Sequence, residues 1–128
     1  MSYVEIVAAL ALLQYIVFGA LVGRARGLYG IHAPAVSGHE MFERLYRVQM
    51  NTLELLVVFL PSLWLAARYV SPLLVAGAGV VYLLGRFIYF RAYSQNPSGR
   101  TLGFGLSIGP TLALLLCGLG GAVRASLQ

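Results

Sequence analysis

The chain has 128 residues, 59% of them hydrophobic, and its formal charges are nine arginines and four glutamates. Charged residues make up 10% of it, against about 25% in an ordinary soluble domain, too few to cover a soluble surface. This excludes most soluble enzymes, disordered tails and DNA-binding domains. It leaves a small all-α membrane protein, one domain over residues 1–128, with apolar sequence for about four spans of ~20 residues.

The first apolar run is Ile6–Val22, broken only by Gln14 and Tyr15. The leader before it has no basic residue and carries Glu5, unlike a secretory signal. The reading is an uncleaved membrane helix over about 4–23. Residues 24–40 collect Gly, Pro, Ser and His and read as a loop, with Arg24 and Arg26 at its start.

A second helix is expected over 41–69. Its first turns are polar (Glu43, Arg44, Arg47, Gln49, Asn51, Glu54), and its apolar part, Leu55–Ala67, is too short to span alone. Pro61 falls inside it, where neighbouring membrane helices can tolerate a kink. Ser71-Pro72 marks a turn, and the third helix is expected over 72–93. It is apolar until Arg86, then carries Tyr89, Arg91 and Tyr93. Ser94–Arg100 reads as a loop, and a fourth helix over 101–123 contains Pro110 and Cys117. The lone cysteine can form no internal disulfide and is expected to pack as a small hydrophobe.

The net charge of +5 does not point to nucleic acid, because the arginines cluster at the ends of apolar runs. Two basic hairpins join helices one to two and three to four. By the positive-inside rule both are expected in the cytoplasm, with the termini on the other side. Short loops and the arginine bias are compatible with a bacterial inner membrane. Gly19-x-x-x-Gly23 and Gly105-x-x-x-Gly109 have close-packing spacing, but such matches arise by chance in a chain with 15 glycines. Gly103–Gly109 lacks the spacing and the preceding strand of a dinucleotide loop. His32 and His39 have no cysteine or carboxylate at ligand spacing, so no metal site is expected. Trp64 and Tyr69 read as interfacial anchors.

Arg47, Asn51 and Glu54 stand at i, i+4 and i+7, one narrow stripe of helix two, and Glu43 extends it by a turn. A cation, an amide and an anion at membrane depth cost several kcal/mol unless each is paired. One solution is a structural network, Glu43 with Arg47 and Glu54 with an arginine of another helix. The other is a polar ligand. Arg86, Tyr89 and Tyr93 form a similar stripe on helix three, at the same end, and Arg100 follows in the hairpin. An aromatic belt would account for the tyrosines but not for Arg86. Arginines, a glutamate, an amide and phenols at one depth suit a small ligand with carboxylates and an amino group.

The segments Phe42–Glu54 and Gly85–Tyr93 resemble the helix-two and helix-three signatures of the MAPEG family, membrane-associated proteins of eicosanoid and glutathione metabolism. Order, spacing and length agree over almost the whole chain, and the branch it resembles holds the microsomal glutathione transferases and the leukotriene-forming synthase. The resemblance implies a left-handed four-helix bundle assembling as a homotrimer, with glutathione sites at subunit interfaces. It implies that Arg47, Asn51, Glu54, Tyr89 and Tyr93 bind glutathione from one subunit and Arg26 and Gln49 from its neighbour. Arg100 corresponds to the family's catalytic arginine, which stabilises the thiolate. The implied activity is conjugation of glutathione, as co-substrate, to lipophilic electrophiles, with reduction of lipid hydroperoxides by the same anion. Leu55 and Gly27 depart from the synthase, which has a tyrosine and an arginine there. One glutathione hydrogen bond and a proton-handling role therefore do not carry over.

Two other functions remain on the sequence. A non-catalytic lipid-binding protein of the same fold would have lost much of the Arg47, Asn51, Glu54 and Arg100 pattern. A small four-helix multidrug transporter needs an acid embedded in helix one, where this chain has only Glu5 at the edge.

Overall fold

A computed structural model describes residues 1–95 and 99–128. Four helices follow one another: α1 (Ser2–Tyr29), α2 (Glu40–Ala67), α3 (Pro72–Gln95) and α4 (Arg100–Ser126). All four are long and apolar enough to cross a membrane. In lipid no water is available to backbone N–H and C=O groups, so a helix that satisfies its own is favoured over any open structure. Of the expected loop Ser94–Arg100, Asn96, Pro97 and Ser98 lie outside the described residues.

The first helix does not stop where its apolar run stops. It continues to Tyr29, so Arg24 and Arg26 belong to its last turns and not to a loop. The stop is set by Gly30, which takes the left-handed conformation at φ 66°. A residue without Cβ adopts that conformation at little cost. The N–H groups of Gly30 and Ile31 both return to the carbonyl of Arg26. A basic residue in a last turn also suits the negative end of the helix dipole. The second helix starts from His39, whose Nδ1 accepts the N–H of Met41 at 3.1 Å. The imidazole is stacked on Tyr29 at 3.7 Å and stays exposed while it caps the helix. α2 and α4 run through Pro61 and Pro110. Pro72 opens α3, a position where its missing N–H costs nothing.

α1 and α4 occupy opposite sides of the bundle, and α3 makes its most extensive contact with α4. The main core joins Val4, Val7 and Ala11 to Leu55, Phe59 and Leu63, to Val75 and Tyr82, and to Leu114. Phe59 and Tyr82 stack at 3.8 Å. Between membrane helices there is little hydrophobic driving force, so close packing and interhelical hydrogen bonds hold the bundle. Of the two spaced pairs, Gly23, Gly105 and Gly109 face open space and Gly19 meets only the Gln49 side chain of α2. The glycines that meet the backbone of a neighbouring helix are Gly85 and Gly103. A Cβ on Gly85 would lie 2.7 Å from the backbone carbonyl carbon of Leu106, and one on Gly103 would fall on the backbone of Tyr89. Cys117 is exposed, not packed in the core.

Candidate functional site

A cleft of about 360 Å³ opens at the end of the bundle where α3 finishes and α4 begins. Arg47, Asn51, Tyr89, Tyr93, Arg100, Thr101 and Phe104 line it. Helical spacing presents Arg47 and Asn51 from α2 and Tyr89 and Tyr93 from α3. Arg100 is the first residue of α4, where unpaired backbone N–H groups and the helix dipole already favour an anion. Beneath the cleft, Phe18, Val48 and Tyr89 form a small buried cluster that joins α1, α2 and α3.

A run of cation and ring contacts leads from the start of α4 down α3. Arg100 lies over the Tyr93 ring at 5.6 Å. Tyr93 and Tyr89 are tilted neighbours at 5.5 Å. Arg86 lies over Tyr89 at 4.4 Å. Cations over the faces of aromatic rings are attracted by the ring quadrupole. The result is a column of cation, phenol, phenol and cation running from the cleft mouth into the bundle.

Arg86 is fully buried and is not among the lining residues. Its Nε donates to Ser107 Oγ at 2.8 Å, and its Nη1 donates to Asn51 Oδ1 at 2.7 Å and to Thr52 Oγ1 at 3.1 Å. The hydroxyls are committed elsewhere as donors, Thr52 to the carbonyl of Val48 and Ser107 to that of Gly103. Both oxygens therefore turn lone pairs toward the guanidinium. Three helices meet on this one side chain.

The expected ion pairs are drawn differently. Glu54 pairs with Arg47 of its own helix at 3.6 Å, not with another helix, and it does not line the cleft. Glu43 accepts the N–H of Gly38 at 3.2 Å instead of meeting Arg47. Arg44, paired with Glu40, donates to the carbonyls of Ser94 and Gln95, both at 3.3 Å. It thereby covers the C-terminal end of α3, where carbonyls lack helical partners.

Arg26 and Gln49 do not reach the cleft of their own chain. Arg26 donates to the carbonyl of Ala35 at 2.7 Å and lies over Phe42 at 4.9 Å. Gln49 is two residues from Arg47, hence on the other side of α2, and its side chain lies against Gly19 of α1. A second cleft, of about 570 Å³, shares Arg47 and Tyr93 with the first and runs under the α1–α2 connection past His39 and Glu43. Leu55 is buried in the main core and Gly27 is open. Among the described residues no group of three or more His, Cys, Asp or Glu gathers in space.

Sequence reasoning missed Thr101 and Phe104 in the lining, and Thr52 and Ser107 around Arg86. The signal was present on helix four: Arg100, Gly103 and Ser107 stand at i, i+3 and i+7, a polar and small stripe in an otherwise apolar helix.

Residues 4–120 match the model of the MAPEG family. The chain is 50% identical over 101 residues to an uncharacterized protein of Synechocystis, covering 79% of this chain and 74% of that one. It is 37% identical over 122 residues to microsomal glutathione S-transferase 2 of Homo sapiens, covering 95% and 83%. To leukotriene C4 synthase of Cavia porcellus it is 35% identical over 130 aligned positions, covering 94% and 86%.

Proposed function

The chain belongs to the MAPEG family and is an integral membrane protein, and from that premise we propose that it is a membrane-bound glutathione S-transferase. The observation that carries the reading is the convergence of Arg47, Asn51, Tyr89, Tyr93 and Arg100 on one cleft. Three helices contribute, and the residues are those a charged tripeptide needs. Arginine forks grip carboxylates, and the phenols and the amide offer polar contacts in surroundings that are otherwise apolar.

The chemistry is activation of a thiol. A thiol with a pKa of ~8.5 is only slightly ionised at neutral pH, and the thiolate is the nucleophile. A guanidinium within hydrogen-bond reach favours the anion. Arginine stays protonated, so Arg100 acts by charge and the proton goes to water. The sulfur then attacks the electrophilic carbon of a lipophilic substrate and displaces its leaving group. The same anion would attack the O–O bond of a lipid hydroperoxide, releasing the alcohol and leaving a sulfenic acid that a second glutathione converts to the disulfide and water.

Glutathione is bound, on this reading, by Arg47, Asn51, Glu54, Tyr89 and Tyr93 of one copy and by Arg26 and Gln49 of the next, in a homotrimer. The separation of Arg26 and Gln49 from the cleft of their own chain supports that division. Both basic hairpins then face the cytoplasm, and the electrophile enters from the lipid.

The test is direct. Purified protein in detergent is mixed with glutathione and a chromogenic aryl halide, and thiolate absorbance and conjugate are followed. Both are expected to appear. Wild-type protein that forms neither thiolate nor conjugate would overturn the assignment.

A further inference from the structure

Asn51 presents two chemically opposite atoms, a carbonyl oxygen that only accepts and an amide nitrogen that only donates. Which one faces the cleft decides what kind of ligand atom can sit there. An isolated amide could turn either way. This one is held by Arg86, whose Nη1 lies 2.7 Å from Oδ1.

A guanidinium has donors and no acceptor, and it does not lose its proton in proteins. An Asn51 amide turned the other way would set N–H against N–H in a buried place. Such an arrangement forfeits the bond and leaves two donors unsatisfied. The guanidinium is itself fixed: Nε is bound to Ser107, Nη1 is shared with Thr52, and the whole group lies under the Tyr89 ring. It is also 0% exposed. Among the described residues Oδ1 is occupied and no hydrogen bond is made by Nδ2.

We infer that Arg86 is a positioning residue that locks the Asn51 amide with its N–H₂ toward the cleft, so that this contact is selective for an acceptor of the ligand, a carboxylate or peptide carbonyl. The inference rests on the glutathione reading and adds to it the sense of one recognition contact and the residue that sets it. Arg86 touches no ligand in this scheme. Its influence passes through one amide.

The experiment uses the full-length protein in detergent, with KM for glutathione, kcat and thermal stability measured together. Wild-type turnover of glutathione with an aryl halide is the reference. Its absence overturns the functional reading and not the positioning of Asn51 as such. With wild type active, Arg86→Met keeps bulk but removes every donor, and KM for glutathione is expected to rise about tenfold with kcat at saturation near wild type. Arg86→Lys restores an obligate donor and is expected to bring KM most of the way back, whatever it does to the melting temperature. Asn51→Asp offers only acceptors to the cleft while gaining an ion pair with Arg86, so it is expected to fold stably and to bind glutathione at least about tenfold more weakly. An unchanged KM in Arg86→Met, or a Lys variant as poor as the Met variant, overturns the inference. Should Arg86→Met fail to assemble, Asn51→Asp decides: a stable variant with wild-type glutathione affinity refutes the donor facing.

Discussion

The guanidinium of Arg100 stands over the Tyr93 ring at 5.6 Å, which joins the first residue of α4 to the last turn of α3. A charge held this way is preorganised. The side chain is exposed, and the ring contact keeps its charge at the cleft where an anion would form.

Replacing Arg100 with alanine should therefore damage chemistry more than binding. The expected loss in kcat is about 100-fold or more, the scale of removing one preorganised stabiliser of developing charge. Arg100→Lys should recover part of it, since a point charge remains but the fork is gone. Equilibrium binding of glutathione, measured beside stopped-flow thiolate absorbance, separates this from a binding defect. Arg100→Ala turning over normally would disprove the proposed role.

Glu54 and Arg47 form an exposed pair at 3.6 Å, and such pairs contribute less than about 1 kcal/mol to stability. Glu54→Gln should leave the melting temperature in detergent nearly unchanged. It should raise KM for glutathione several-fold, through loss of a partner for the ligand's amino group and a looser Arg47. A large fall in melting temperature with unaltered KM would show a purely structural pair.

The bundle was readable because its spans are apolar and its polar stripes keep helical spacing. Asn51, Tyr89 and Arg100 could be placed at one depth from the numbering alone. What could not be read depends on neighbours that the linear pattern does not name. A Gly-Arg-Ala-Arg-Gly run reads as a loop by composition, whereas α1 runs through it and stops at a left-handed Gly30. Arg86 shares a stripe with Tyr89 and Tyr93, yet only the approach of α4 through Gly85 and Gly103 puts it behind the cleft instead of inside it. Spacing alone likewise pointed Glu43 at Arg47. The loop closing back over α2 supplies the N–H of Gly38 and redirects it.

Gly103→Ala tests that helical approach. The added Cβ would strike the backbone of Tyr89, which cannot give way as a flexible side chain can. Overpacking of this kind costs about 1–3 kcal/mol, so a lower melting temperature is expected. Activity should fall as well, because Arg100 lies one turn away. Gly105→Ala is the control, since nothing stands near that position. Equal effects of the two would count against the close approach.

The proposed homotrimer has its own test. Arg26→Ala and Arg100→Ala chains should each be impaired alone. Co-expressed, they are expected to regain activity, since about a quarter of interfaces in a randomly mixed ring would pair an intact Arg100 with an intact Arg26. Activity of the purified mixed assembly, isolated through two different tags, is the measurement. No gain over the separate variants would argue that each cleft is completed within one chain.

Cys117 is the single cysteine of the chain, and its side is exposed. It lies 17 residues along α4 from Arg100, about 25 Å at the helical rise, toward the end of the bundle away from the cleft. The molecule thus comes with a unique attachment point remote from its chemistry. A spin label or fluorophore can be coupled there without first removing other thiols. Label-to-label distances would then report whether copies assemble and with what symmetry, while glutathione turnover is followed at the opposite end.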